Sequence, residues 1–247
     1  MAINLDKMRE KLDDLDGKKR KNQKNDEFFR PDFGEHELRI LPSEDGEPYK
    51  EIYFHYNVGT AVMCPKRNFG EYCAVCEYAH SLWKEGGEES QKMAKGLFAR
   101  QRFFSNILVR GKEEEGPKPY GYGRKMFKKL VEHTLDPDYG DITDPENGRD
   151  IKLSYEKGAQ FPIIDFSVKP ATKPIAKSKK EIKDILDKIK PLESFFERKT
   201  SAEVQKVLET FLGNPYDGEE VKKYGAVKSP EVQITDLDKA IEELADD

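Results

Sequence analysis

Hydrophobic positions change their period several times along the chain. Near the start, Leu5, Met8, Leu12 and Leu15 fall on one helical stripe, and Gly17 ends it. The basic run "KKRKNQK" from Lys18 to Lys24 follows, so residues 1–26 read as a short helical arm on a basic hinge. From residue 36 the period becomes two. "HELRILPS" at 36–43 predicts a strand that stops at Pro42, and "KEIYFHYNV" at 50–58 predicts a second. "TAVMC" at 60–64 follows Gly59 and completes a hairpin. The helical period returns in "AVCEYAHSLWKE", at Val75, Tyr78, Ala79 and Leu82. "RQRFFSNILVRG" at 100–111 is the strongest strand signal, and "KPYGYG" at 118–123 is a further extended segment.

The rest of the chain follows the same logic. "RKMFKKLVEHTL" at 124–135 is helical by its Met126, Phe127, Leu130 and Val131 stripe. "DIKLSYEK" and "PIIDFSVKP" pair as a hairpin. From residue 179 the chain turns helical, with Ile182, Ile185, Leu186 and Ile189 on one face before Pro191. Thr200 and Glu203 form a capping box that opens another helix, stopped by Gly213. Residues 214–235 are loop-like, and no internal repeat is visible. The expectation is a mainly β middle with inserts, α+β in class, and a helical end.

Composition limits what this framework can be. The chain has 247 residues, room for one large domain or two small ones, and is 37% charged against 36% hydrophobic. No apolar run reaches membrane-spanning length, and "MAINLDKMREKL" lacks a signal peptide's apolar core. A cytoplasmic protein with reduced thiols and no membrane partner is expected. The net charge of −5 is unevenly spread. "DLDKAIEELADD" at 236–247 alone carries six acids and one lysine, whereas residues 95–130 carry ten Lys and Arg against three Glu. An acidic tail coexists with a basic centre.

Three cysteines, an odd number in a reducing compartment, suit a metal better than a disulfide. Cys73 and Cys76 stand in a CxxC, and Cys64 lies nine residues upstream. Zinc takes four soft or borderline ligands, so a histidine must be the fourth. His55, on the predicted strand, and His80, four residues past Cys76, both qualify by spacing. A redox dithiol would open a helix in a βαβ pattern, which is absent. A zinc deaminase would need HxE and PCxxC, but His55 is followed by Tyr56 and Asn57, and Cys73 by its N-terminal side meets Tyr72. "HELRI" likewise fails as HExxH at its last position. With four protein ligands the site would be closed and structural.

The basic centre interleaves cations with aromatics. In "ARQRFFSNILVR", Arg100 and Arg102 flank Phe103 and Phe104; in "PKPYGYGRKMFKK", Tyr120 and Tyr122 precede Arg124 and Lys125. Stacking platforms beside phosphate-binding cations are what single-stranded nucleic acid requires. Phe103 and Phe104 point to opposite strand faces, so at least one belongs to a core, and Lys128 and Lys129 read as a solvated helix face.

Taken in order, "LRILPS", "FHYNVGTAVMC", "GEYCAVCEYAH", "FFSNILVR" and "YGYGRKMFKKL" resemble the helix-destabilising single-stranded DNA-binding proteins of T-even-type phages. The resemblance spans roughly 36–170 and extends loosely to both ends. It implies an OB-fold barrel with an inserted zinc-binding subdomain at about 53–95, within a core of 27–225, followed by a helical C-terminal part and an acidic tail at 226–247. It implies one structural Zn2+ held by His55, Cys64, Cys73 and Cys76. It places Tyr72, Arg100, Arg102, Phe103, Phe104, Tyr120, Tyr122, Arg124 and Lys125 in or near a DNA cleft.

The implied function is non-catalytic coating of single-stranded DNA in phage replication, recombination and repair, in the host cytoplasm. The N-terminal arm would join neighbouring protomers along the strand, although its basic run comes later than the family's. The acidic tail would recruit replication or recombination proteins. Two other classes fit less of the pattern: a zinc-containing DNA-processing nuclease and a zinc-stabilised protein-interaction scaffold.

Overall fold

A computed structural model describes residues 27–158 and 162–213. The predicted arm helix, the loop-like segment 214–235 and the acidic tail lie outside the described residues. The alternating segments form the strands expected of them. These are β1 (Gly34–Ile40), β2 (Lys50–His55), the short β3 (Val62–Met63), β4 (Arg100–Val109), β5 (Lys118–Tyr122), β6 (Arg149–Glu156) and β7 (Ile163–Thr172). All pairings are antiparallel, and all seven strands belong to one sheet.

β4 organises the sheet. Phe103 and Phe104 are in register with β2 on one side and with β5 on the other. Ile107 pairs with β1 and with β5. β1 and β2 therefore share one edge of β4, end to end, and β5 occupies the opposite edge. β6 and then β7 extend the sheet beyond β1. The fold is mixed α+β with an antiparallel sheet.

The expected closed barrel is not formed by strand pairing among the described residues. β5 bonds only to β4, and β7 only to β6. The reason lies in the chain just after β5. It passes Gly123 into a helix, α4 (Arg124–Leu135), which packs against both β4 and β7. Met126 and Leu130 from α4 join Leu38, Phe103, Ile107, Leu153 and Phe166 in the largest apolar cluster. The helix supplies the apolar cover there, and backbone pairing between β5 and β7 does not occur.

The residues between β2 and β4 form an insert: β3, then α1 (Pro65–Phe69), α2 (Ala74–Glu85) and α3 (Glu88–Leu97). Sequence periodicity predicts α2 but neither α1, which is too short to show a period, nor α3. In α3 only Ala94 and Leu97 are buried, and Met93 faces solvent, so the apolar stripe is thin. Near the C-terminus, α5 (Lys179–Leu186) ends at Asp187, sooner than its stripe suggests, although Ile189 still packs beside Leu41, Leu108 and Ile175. α6 (Ser201–Phe211) starts at the predicted capping box: Thr200 accepts from the Glu203 amide, and Glu203 accepts from the Thr200 amide at 2.7 Å. Val204 and Leu208 carry α6 onto the insert, next to Val62 and Ala79.

A buried ion triad ties β1, β4 and β6 together. Arg39 and Arg110 both reach Asp150 Oδ1 at 2.8 Å, and Arg39 is fully buried. Carbonyls of Asp144 and Lys173 accept from Arg39, and those of Pro174 and Ile175 accept from Arg110. The terminal nitrogens of Arg39 are bonded in this way while its Nε has no partner, so the bonds and the shared carboxylate offset part of the cost of burying the charge.

Candidate metal centre and nucleic-acid interface

Four side chains converge where the insert meets the sheet. His55 is the last residue of β2, and Cys64 follows β3. Cys73 is the N-cap of α2, and Cys76 lies one turn inside it. A CxxC across a helix start aims both sulfurs at one point, because the first residue is extended and the second has already turned. His55 Nε2 lies 3.3 Å from Cys73 Sγ and 3.6 Å from Cys76 Sγ, and Cys64 Sγ lies 3.4 Å from Cys76 Sγ. All four ligand atoms fall within 4.8 Å of one another, and all four residues are buried. A tetrahedron with metal–sulfur bonds of ~2.3 Å has edges of about 3.8 Å, close to these separations. The set is compatible with one metal ion.

The surroundings orient the donors. His55 Nδ1 bonds to the Leu97 carbonyl at 2.7 Å, which points Nε2 at the sulfurs. The Arg67 amide donates to Cys64 Sγ at 3.3 Å as Cys64 caps α1. His80 is not part of the group; its ring packs near Phe98, 6.2 Å between centroids.

The sulfurs and the imidazole perturb one another strongly. Hydrogen bonds with Cys64 and Cys76, then with His55, hold the Cys73 thiol well below its ordinary value despite burial. Hydrogen bonds with Cys64 and Cys73, with burial added, push the Cys76 thiol well up. For His55, burial opposes the charged ring, but hydrogen bonds to Cys64 and Cys73 outweigh it and raise the pKa to about 10. Ionising every sulfur requires a positive ion among them.

The gap between β5 and β7 leaves a cleft of about 410 Å³. Arg102, Tyr120, Tyr122 and Lys125 line it, as do Lys129, Ile164, Asp165 and Phe166. Arg102 reaches across β5 to donate to the Gly121 carbonyl at 3.4 Å. Gly121 itself admits no larger residue easily: a Cβ there would come within 2.6 Å of the Phe104 ring.

Of the residues the sequence proposes for nucleic acid, this cleft brings together Arg102, Tyr120, Tyr122 and Lys125. Arg100 and Arg124 are exposed elsewhere on the surface, and Tyr72 is half-buried against the insert, its carbonyl accepting from Ser201 at 2.7 Å. The stacking expectation for four rings does not match their placement. Phe103, Phe104, Tyr120 and Tyr122 are each 7% exposed or less. Phe103 stacks on Phe127 at 3.8 Å in the inner core. Phe104, on the other face, is covered by Phe28 and Phe196. Tyr122 donates to or accepts from Ser105 at 2.6 Å, and burial raises both tyrosine pKa values, Tyr120 to about 12. Both faces of β4 are therefore roofed, one by α4 and the other by chain segments far away in sequence.

Sequence reasoning missed two surface residues. Lys129, read as solvated, lies at the cleft and pairs with Asp165 at 3.0 Å. Tyr56 is 40% exposed and close enough to Arg102 and Arg100 for both to lower its pKa against the rise from burial. The alternation that placed Arg100 and Arg102 on one face also places Phe54 and Ile52 there, two residues that pair with them in register.

A family model described as gp32 DNA binding protein like matches residues 33–213. No curated protein matches the chain. Among the described residues, no helix is long and apolar enough to cross a membrane.

Proposed function

Because the chain belongs to the gp32-like family of DNA-binding proteins, we propose that it binds single-stranded DNA and coats it, without catalysis, during replication, recombination and repair. The observation that carries this reading is the open cleft between β5 and β7, inside the matched region, with Arg102, Lys125 and Lys129 on its walls. A space of about 410 Å³ is of single-molecule size, suited to individual nucleotides of one strand. The cations neutralise phosphates and release counterions, so affinity falls with salt. We read the sheet as an OB-type barrel opened at that cleft.

Zinc is the ion this donor set favours, since three thiolates and an imidazole in a tetrahedral group are soft and borderline ligands. His55, Cys64, Cys73 and Cys76 would hold it. Four protein ligands leave no open position, so its contribution is to fix the insert beside the sheet. The N-terminal arm, residues 1–26, would join neighbouring protomers on the strand, and the acidic tail would recruit replication or recombination proteins.

Fluorescence titration of a labelled oligo-dT at two salt concentrations tests the reading. Tight, salt-sensitive binding well above that for duplex is expected. Equal affinity for duplex of the same length overturns it.

A further inference from the structure

The four buried rings leave open which aromatic surface a base would meet. The inner faces of β6 and β7 run from the core to the mouth of the cleft. Ile151, Leu153, Phe166 and Val168 are buried along them. Beyond these, Tyr155 and Ile164 stand directly opposite each other in register, half-buried and 52% exposed respectively. Ile164 is itself a wall of the cleft, and Tyr155 is near enough to Tyr120 for their charges to interact.

A further ring lies on Tyr155. Phe33 stacks against it with centroids 5.2 Å apart and planes at 16°, and it is 60% exposed. The local backbone explains the placement. Gly34 is the register partner of Tyr155 and has no side chain to cover it. Its φ of 135° is one that residues with a Cβ rarely adopt, and it turns the preceding residue back over the strand. One face of Phe33 is thus held by Tyr155, and much of the ring remains in water. A large aromatic held parallel to Tyr155, whose register partner Ile164 is a cleft wall, and left with its other face in water is the informative kind of exposure.

We propose that Phe33, backed by Tyr155, is a base-stacking platform for the single strand as it leaves the cleft. The proposal rests on the DNA-binding reading above. A base stacked on Phe33 extends the Phe33–Tyr155 pair by one ring, while Arg102 and Lys125 hold phosphates along the cleft. Because any base has a π-face, the contact is tolerant of sequence.

The test uses the full chain and labelled oligo-dT, with an abasic oligonucleotide of equal length as the second ligand. Phe33→Ala should weaken oligo-dT binding roughly five- to a hundredfold, the range for one stacked base. Its salt slope should stay unchanged, since no phosphate contact is lost. Phe33→Trp should restore affinity and show indole quenching on binding, read in a Trp83→Phe background. On the abasic strand, Phe33→Ala and the wild type should bind equally. Undiminished oligo-dT binding by Phe33→Ala, with Arg102→Ala weakened, overturns the platform and leaves the DNA-binding reading standing. An equal loss on both strands shows a structural effect and also overturns it. A wild type that binds neither strand at low salt removes the reading beneath it.

Discussion

The four-donor cluster draws on β2 and the insert, the basic cleft on β4, β5 and β7, and their surroundings are opposite. The cluster is sealed: His55 and the three cysteines lie among Val62, Ala79, Leu97 and Val204, out of contact with water. The cleft is open, with Lys125 and Lys129 exposed on its rim. Charge in a sealed site must be balanced inside the protein, so its partner becomes part of the fold. Charge on an open wall is balanced by exchangeable ions, so its partner can come and go. The first region is expected to govern stability and the second affinity.

Removing a metal ligand tests the sealed side and carries the largest effect. Cys76→Ser, or treatment with a strong chelator, should abolish bound zinc and unfold the insert, with a large fall in Tm. Structural zinc binding amounts to about 10–16 kcal/mol in small zinc-dependent peptides, so losing even a fraction of it is large against the ~5–15 kcal/mol net stability of a typical domain. Metal analysis together with circular dichroism reads the outcome, and a metal-free protein of equal stability would erase the contrast between the two regions.

The next effect joins the two. Gly121→Val places a Cβ against the Phe104 ring, so β5 must shift from β4. A loss of about 1–3 kcal/mol in denaturant unfolding is expected from overpacking, with weaker DNA binding because β5 is a wall of the cleft. If binding is kept while stability falls, the wall tolerates the shift.

On the open side, Arg102→Ala and Lys125→Ala should each lower the salt slope of single-strand binding by about 0.7 and leave Tm nearly unchanged. A slope equal to the wild type's takes that residue off the phosphate path. Smallest is Tyr122→Phe, which deletes the 2.6 Å bond to Ser105. About 1 kcal/mol of stability should be lost, with no change in DNA affinity. An affinity change without a stability change would move this ring from the core to the interface.

Local signals explain why so much of the layout was readable beforehand. α4 spans 124–135 as its stripe predicts, and α6 begins at Thr200 because the capping box is a purely local bond pattern. The cysteine set was equally local, since a CxxC at a helix start converges by helical geometry alone. The residues left His55 and His80 open, however. Only the return of β2 beside α2, with Leu97 bonding to Nδ1, brings His55 into the group.

The aromatic stretch shows the opposite case. Alternation says that Phe103 and Phe104 face opposite sides, and it does so correctly. It says nothing about what covers each side. Phe127 covers one, while Phe28 and Phe196, 76 positions before and 92 after Phe104, help cover the other. By itself the sequence determined the elements, the donor chemistry and the pooling of cations in the middle of the chain, because propensity, capping and spacing act over a few residues. The tertiary structure decided which rings are interior, which histidine joins the sulfurs and where the sheet stays open. Those outcomes depend on segments far apart in sequence meeting on one surface, and no local period encodes that meeting.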